Sequence, residues 1–378
     1  MGCELIFWLA AGLILYVYAG YPAALWLAQL IFRRPVKKSA IQPAVSLLVA
    51  AYNEATVIEA KIRNALALDY PPERLEIVIA SDGSTDGTAQ IARRAAAEWP
   101  GGERVRVLDY PVNRGKLAVL NDSLPQLRYD IVAFSDAASM LAPDAIRRLV
   151  ASFADLEVGA VSGLYTVCKT EAAELGESED FYWRYETFLK RQEAALGSIL
   201  GAHGALYAIR KALYPFPRPG IVNDDYVIPV RILQKGFRVA YETEAVAREE
   251  AHEMSGFSRR VRIMTGNFEQ LAELGALLWP PRFLPLFFFL SHKAGRLLVP
   301  AAMLALVPAN LWLADRPLYL GLGCLQAAFY LLALLGAIWP LRPRILRLPY
   351  YFSMINAAAF PGLYHALSQR RRMVWKRE

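Results

Sequence analysis

Residues 45–54 have the sequence VSLLVAAYNE and decide the fold of this 378-residue chain. A short run of branched and small apolar residues that ends in polar ones is typical of a strand buried on both faces. Similar runs predict strands at 76–81, 104–109 and 131–135, and helices are predicted between them near 55–68, 88–98 and 116–127. This alternation predicts an α/β fold with a doubly wound, mostly parallel sheet.

Ligands of such a sheet bind beyond the carboxyl ends of its strands, and those ends are acidic here. The second strand leads into Asp82-Gly83-Ser84, and the fourth leads into Asp136-Ala137-Ala138-Ser139. The glycine-rich signatures of P-loop and dinucleotide-binding proteins do not follow the first strand. Mg²⁺ or Mn²⁺ typically binds one or two carboxylates together with substrate phosphates. The sequence therefore predicts a metal-bridged diphosphate, with Asp136 as the metal ligand.

The acids after the second strand have alternative roles. Asp82 either accepts hydrogen bonds from a base or ribose, or it is a turn residue. Asp86 is expected to cap the helix that begins near Thr88.

Four segments, in this order, resemble the motifs of glycosyltransferase family 2: residues 45–54, the turn at 82–84, Asn113-Arg114-Gly115-Lys116, and Phe134-Ser135-Asp136. Members of this family have a GT-A fold and invert the anomeric centre of a nucleotide sugar. The resemblance implies a set of donor-binding residues, namely Tyr52, Glu54, Asp82, Lys116, Asp136 and, from a later motif, Arg262. The family usually has Asp-x-Asp at the metal motif, whereas the third position here is Ala138, which leaves Asp136, the diphosphate and water to hold the ion.

A general base is expected in residues 221–225, because inverting transfer needs a carboxylate on the side opposite the leaving group. The resemblance aligns this segment with the family's Thr-Glu-Asp triplet, since Gly236 lies eleven residues after Asp225. Asp225 is therefore the predicted base, and Asp224 is predicted to line the acceptor side. The alternative interpretation is that these acids only begin the helix that follows.

Two further segments resemble the acceptor side of the family's site. In Gly201-Ala202-His203-Gly204-Ala205, His203 and Gly204 are predicted to contact the acceptor, although a lone histidine is often structural. Residues 258–263 take the place of the Gln-x-x-Arg-Trp motif of processive synthases, and Arg262 keeps the arginine that pairs with the diphosphate. Ile263 replaces the tryptophan and offers no aromatic face to a polymer, which argues against long-chain processivity. The same segment is also predicted to be a basic amphipathic helix at the cytosolic surface.

The N-terminal segment 5–32 contains no charged residue and is predicted to span a membrane. As a helix, its 28 residues would extend about 42 Å, which exceeds a hydrocarbon core of about 30 Å. A cleaved signal peptide is disfavoured, because residues 1–4 carry no basic group. The basic residues Arg33, Arg34, Lys37 and Lys38 place the following end in the cytosol and the N-terminus outside.

The last hundred residues form a second apolar block. Segments 297–314 and 317–339 are predicted to span the membrane as an outward-facing hairpin. Segment 283–290 is too short to span and is predicted to lie at the interface. Segment 348–367 is flanked by arginines on both sides, which favours a helix at the cytosolic interface over a membrane span.

These assignments predict three regions: an N-terminal helix with its basic flank at 1–38, a cytoplasmic catalytic domain at 39–278, and C-terminal membrane helices at 279–378. The expected location is the plasma (inner) membrane, crossed several times. The net charge of +7 comes with basic clusters at these membrane edges, so a nucleic-acid partner is not expected. Three scattered cysteines also argue against a disulfide framework or a zinc site.

The resulting hypothesis is a membrane-bound inverting glycosyltransferase that takes a sugar from a nucleoside diphosphate donor, expected to be UDP-linked. The expected acceptor is a lipid-linked or other membrane-associated saccharide. One alternative is a processive exopolysaccharide synthase, for which three or four spanning helices offer a small channel unless the chain forms a homo-oligomer. A second alternative is a catalytically degenerate scaffold or transport subunit.

Overall fold

A computed structural model describes residues 2–168, 176–221, 223–250, 256–271, 283–339 and 344–368. The strands, in chain order, are β1 Val45–Ala51, β2 Leu75–Asp82, β3 Val105–Tyr110, β4 Ile131–Asp136, β5 Met140–Leu141, β6 Val158–Cys168, β7 Tyr207–Arg210 and β8 Arg238–Glu250. The helices of the first half are α1 Gly2–Ile31, α2 Ile58–Leu66, α3 Thr88–Glu98, α4 Lys116–Ser123 and α5 Ala145–Ala151. Those of the second half are α6 Gly176–Ala195, α7 Asp224–Gln234, α8 Gly256–Gln270, α9 Phe283–Trp312, α10 Pro317–Ile338, α11 Leu348–Ala357 and α12 Ala359–Leu367.

The strands of the described residues form one mixed sheet in the order β3-β2-β1-β4-β7-β6-β8-β5. The first half is parallel, with β1 hydrogen-bonded to β2 on one side and to β4 on the other. Strand β7 then runs antiparallel to both β4 and β6, while β6 and β8 are parallel. All seven residues of β1 are buried, as expected for a strand in the middle of a sheet. The predicted parallel half is confirmed, and the carboxyl ends of β1, β2 and β4 meet at one edge.

Three of the described helices, α1, α9 and α10, are long and apolar enough to cross a membrane. Segments 283–290 and 297–314, which were predicted separately, belong to one helix, because α9 is continuous from Phe283 to Trp312, and the interfacial position of 283–290 stays a prediction. His292 and Arg296 lie inside this helix, where they contact carboxylates of α6. These contacts explain why polar residues do not interrupt it. Segment 348–367 consists of the two shorter helices α11 and α12, separated at Ala358.

The three candidate membrane-spanning helices pack together and also against the sheet. At one end, Arg316 in the turn between α9 and α10 forms a salt bridge with Glu4 of α1 at 3.1 Å. At the other end, Tyr21 and Leu25 of α1 belong to the hydrophobic core on one face of the sheet, together with Leu48 of β1. Phe288 of α9 joins the same core. The sheet is therefore docked directly on the C-terminal end of α1 and the N-terminal end of α9.

Candidate active site

The loops after β1 and β2 are locked together by side-chain hydrogen bonds. Asn53 has a positive φ of 53°, and its side-chain oxygen accepts a hydrogen bond from the backbone N–H of Thr85 at 2.9 Å. Asp86 accepts hydrogen bonds from the backbone N–H of Ala55 and that of Thr88, at 2.9 and 3.0 Å. Asp86 therefore contacts the first residue of α3, but the N-cap position is Gly87, so the prediction of Asp86 as the N-cap is wrong by one residue. Tyr52 and Glu54 lie in the first of these loops, half-buried.

Asp82 connects the loop after β2 to the loop after β3. It is fully buried, and its two oxygens accept hydrogen bonds from the backbone N–H groups of Arg114 and Gly115, at 2.9 and 2.7 Å. Burial raises the pKa of the Asp82 carboxyl, against the effect of these two donors. Gly83 is required here, because it has a φ of +64° and a Cβ atom would lie 2.4 Å from the backbone nitrogen of Asn113. Asp82 thus fixes the loop that carries Lys116, and its contact with a base stays a prediction.

Lys116 lies at the centre of an acidic cluster. Its Nζ is 2.8 Å from an oxygen of Asp136 at the end of β4, and 3.3 Å from an oxygen of Asp224 at the start of α7. Burial disfavours the charged ammonium, but the carboxylates of Asp136 and Asp224 outweigh it and raise the pKa of Lys116. Residues that are 108 positions apart in the sequence, Lys116 and Asp224, are therefore brought together by the sheet and α7.

Asp225 lies beside this cluster and contacts the loop 201–205. One oxygen of its carboxylate accepts a hydrogen bond from the backbone N–H of Gly204 at 3.0 Å, and its own carbonyl accepts one from the N–H of Ala202 at 2.8 Å. Burial, followed by the charge of Asp224, raises the pKa of the Asp225 carboxyl to about 6. Such a carboxyl can both take up and release a proton near neutral pH.

Gly204 marks the point where the predicted catalytic groups meet. A Cβ atom at this position would lie 3.3 Å from Asp136, 3.5 Å from Asp225 and 3.6 Å from the Nζ of Lys116. The predicted site residues Asp136, Lys116, Gly204, Asp224 and Asp225 are therefore close together, although they come from four separate parts of the chain. Arg262 on α8 belongs to the same electrostatic environment, because its charge helps to lower the pKa of Asp136 against the effect of burial.

The carboxylate of Asp136 fits a metal that is shared with a phosphate ligand. One oxygen is paired with Lys116, the side chain is 39% exposed, and the other oxygen would lie 3.3 Å from a Cβ atom added at Gly204. In the part of the chain that the structure describes, no group of three or more His, Cys, Asp or Glu side chains is arranged to hold a metal. The donor set therefore suits Mg²⁺ or Mn²⁺ completed by a diphosphate and water, and it does not form a closed protein site.

A buried lysine, Lys61 of α2, stabilises the segment 135–139 that contains Asp136. It was not predicted. Its Nζ donates hydrogen bonds to Ser135 Oγ at 2.7 Å and to the carbonyl of Ser139. Burial lowers the pKa of Lys61 to about 7, although Asp136 opposes this shift. The available sequence signal was its position within the apolar stripe of α2, between Ile58 and Ile62.

His203 occupies an aromatic environment next to Gly204. Its ring centroid is 5.7 Å from that of Trp183 and 6.0 Å from that of Tyr241, and its Nε2 is buried with no hydrogen-bond partner among the described residues. Burial, followed by the charge of Lys190, lowers the pKa of His203 well below its ordinary value. The ring is therefore neutral at neutral pH, and the acceptor contact predicted for it stays a prediction.

A parallel half-sheet extended by an antiparallel strand, with acids at the strand ends around a lysine, is the arrangement expected of a GT-A fold. A family model described as "Glycosyltransferase like family 2" matches residues 43–265, and the chain belongs to this family. The poly-beta-1,6-N-acetyl-D-glucosamine synthase of Staphylococcus aureus (strain COL) is 27% identical over 284 residues, which are 73% of this chain and 64% of that protein. The synthase of the same name from Staphylococcus epidermidis is 26% identical over 60% of this chain and 55% of its own length. The chain thus spans less than two thirds of these curated relatives.

A solved structure establishes the same fold over nearly the whole chain. It is the mannosyltransferase PcManGT from Pyrobaculum calidifontis, in complex with GDP-Man and Mn²⁺. The match has a TM-score of 0.75 at 24% sequence identity and covers 97% of this chain and 99% of that one. The predicted GT-A fold with apolar helices is thereby confirmed.

Proposed function

We propose that this protein is a membrane-bound inverting glycosyltransferase that transfers a sugar from a nucleoside diphosphate sugar, UDP-linked by preference, to a lipid-linked or membrane-associated saccharide. The observation that carries the proposal is the meeting of Asp136, Lys116 and Asp225 around Gly204. This arrangement offers a cation and a metal ligand for a diphosphate, and a separate carboxylate for an acceptor. Family membership and the mannosyltransferase fold support it.

In the proposed reaction, Asp225 accepts the proton of an acceptor hydroxyl as the hydroxyl oxygen bonds to the anomeric carbon. The bond from that carbon to the diphosphate breaks, and the nucleoside diphosphate leaves with the electron pair. Lys116 and Arg262 stabilise its negative charge. When bound, Mg²⁺ or Mn²⁺ would neutralise part of the same charge, and Asp136 is the residue that would hold it.

The hydrogen bond from Gly204 to Asp225 supports the assignment of the base. It fixes one oxygen of the carboxylate, so the other oxygen is available to an acceptor. The raised pKa of Asp225 suits proton transfer near neutral pH, whereas Asp136 is kept ionised by Lys116. Two neighbouring carboxyls thus have separate roles because their surroundings differ.

A panel of UDP-, GDP- and TDP-sugars tests the proposal on the purified full chain. We expect one sugar to bind and to be transferred or slowly hydrolysed in Mg²⁺ or Mn²⁺, with donor binding at least about tenfold weaker in EDTA. Binding that is equal in EDTA would contradict the role of Asp136. A chain that binds none of these donors would contradict the enzyme and favour the degenerate scaffold.

A processive polysaccharide synthase remains the second candidate. The observation that favours it is the similarity to two staphylococcal poly-beta-1,6-N-acetyl-D-glucosamine synthases. For this candidate, UDP-linked N-acetylglucosamine is the donor to include in the panel. The size of the product separates the two candidates, because a processive synthase gives high-mass material and single addition does not.

A further inference from the structure

A second charged region lies beside Asp225, where α6 contacts α9. Its cations are Lys190 of α6 and Lys293 of α9, and the charges of both act on His203 of the loop 201–205. We propose that Lys190, Lys293 and His203 form an anion site that binds the phosphate linking a membrane lipid to the acceptor saccharide. The inference rests on the proposed function and names the chemical class of its acceptor.

Contacts of the described residues connect the two lysines to the base. The Nζ of Lys190 donates hydrogen bonds to the carbonyls of Gly201 and Ala202, at 3.2 and 3.3 Å. The Nζ of Lys293 lies 5.7 Å from the ring centroid of Tyr226, the residue after Asp225. That ring in turn packs against Gly201, where an added Cβ atom would lie 3.0 Å from it. Both ammonium groups are therefore next to the peptide segments that position Asp225.

The nearby carboxylates are already engaged with other partners. Glu186 contacts both His292 and Arg296 of α9. Glu193 lies 2.8 Å from Nδ1 of His292 and accepts a hydrogen bond from the hydroxyl of Tyr21 at 2.7 Å. Within the described part of the chain, no carboxylate lies within salt-bridge distance of the ammonium of Lys190 or of Lys293. Glu186, Asp225 and Glu193 attract the ammonium of Lys190 from a longer distance, but this attraction does not outweigh its burial and the charge of Lys293. An additional anion would stabilise both ammonium groups.

The electrostatic environment agrees with this geometry. Burial, followed by the charge of Lys293, lowers the pKa of Lys190 to about 8. The same two lysines also help to keep His203 neutral. A phosphate between the lysines would remove their repulsion. The buried Nε2 of His203, which has no hydrogen-bond partner among the described residues, is a further polar group available to that ligand.

The surroundings of Lys293 favour a lipid as the source of the phosphate. Leu290 and Leu297 lie within four residues of it in α9. Leu290 is 49% exposed, and α9 is one of the helices that could cross a membrane. A phosphate at Lys293 would thus have an exposed apolar surface beside it, along which a hydrocarbon chain can lie.

The test measures equilibrium binding of a radiolabelled isoprenyl monophosphate and of the matching isoprenyl alcohol to the full chain in detergent. We expect the phosphate to bind at least about tenfold more tightly than the alcohol, since charge-assisted hydrogen bonds add this much. Lys293→Met should remove most of the difference, and Lys293→Arg should retain most of it. Excess inorganic phosphate should compete only weakly, because it lacks the lipid chain.

Arg33→Met is the matched control, because Arg33 is an exposed basic residue beside the end of α1. It should leave lipid binding unchanged. The inference is overturned if phosphate and alcohol bind equally, if Arg33→Met weakens binding as much as Lys293→Met, or if inorganic phosphate competes as well as the lipid. Nucleotide-sugar binding is measured in parallel. If the chain binds a nucleotide sugar but does not prefer the phosphate over the alcohol, only this inference is overturned. If it binds no nucleotide sugar, the proposed function is overturned.

Discussion

At the scale of single residues, Asp225 is the group on which the proposed chemistry depends most. Replacing it in the Asp225→Asn variant keeps the shape of the side chain and removes the ability to accept a proton. General-base catalysis contributes about 10²–10⁴-fold, so we expect kcat to fall by about that factor while the Kd of the nucleotide changes little. Turnover is measured with radiolabelled donor, and nucleotide affinity by calorimetry.

Asp122→Asn is the control for this prediction. Asp122 is an exposed acid that forms a salt bridge with Arg114, and its change should leave kcat within about twofold. If Asp225→Asn retains full turnover, the base has been assigned to the wrong residue.

The raised pKa of Asp225 also predicts how the rate depends on pH. The carboxylate form is the active base, so lowering the pH through about 6 converts it to the inactive acid. Below this value, kcat/KM should fall about tenfold for each pH unit. The charge of Lys190 lowers the pKa of Asp225, so in Lys190→Met the fall of kcat/KM should begin at a higher pH. A profile that is flat or rises as the pH falls from 7 to 5 would contradict the role of Asp225.

At the scale of elements, the loop 201–205 brings the two sides of the site together. Gly204→Ala adds a Cβ atom only 3.3 Å from Asp136, closer than ordinary van der Waals contact, in the space where Asp136, Asp225 and Lys116 meet. We expect at least about a tenfold loss of kcat/KM for the donor with a change in Tm of only a few degrees, because backbone strain is not introduced. Both quantities are measured on the same detergent-solubilised preparation.

Gly12→Ala in α1 serves as the matched control, because a Cβ atom there meets nothing within 4 Å. Its activity should equal that of the wild type. Equal activity of Gly204→Ala would show that the donor does not approach this loop.

The elements that could be predicted are those whose pattern is local. Strands β1 to β4 are apolar runs bounded by turns, so the parallel half of the sheet followed from the sequence. Strands β6 to β8 were not predicted. β7 has only four residues, and β6 contains Gly159 and Gly163, which weaken a strand pattern but allow close packing against Ile232 and Leu206. Their pairing is decided by tertiary contacts that a single sequence does not display.

The residues of the site also fall into those that could be predicted from the sequence and those that could not. Asp136, Lys116 and Asp225 lie in motifs with recognisable spacing, so the sequence identified them. Lys190 donates hydrogen bonds to loop carbonyls that lie 11 and 12 positions further along the chain. It also interacts with the charge of Lys293 on α9. No local pattern marks such a residue as part of a site.

At the scale of the whole molecule, the core that includes Leu48, Tyr21 and Phe288 joins the sheet to the membrane helices. The proposed catalytic groups therefore have a fixed position relative to α1 and α9, so that, under the proposed function, an acceptor anchored in the bilayer would reach them without a carrier domain. Three helices that could span a membrane are present in the described residues, and the mannosyltransferase fold covers 97% of the chain. The docking of the sheet on α1 and α9 supports the proposed transfer to a membrane-associated acceptor.

The size of the product tests that conclusion. Incubation of the full chain with radiolabelled donor and membrane lipids should give a single lipid-extractable species, because Ile263 has no aromatic face to stack on a growing polymer. The products are separated by thin-layer chromatography and gel electrophoresis. A ladder of high-mass, water-soluble material would contradict single addition and support the polysaccharide synthase. Asp225→Asn, run beside the wild type, should yield neither product.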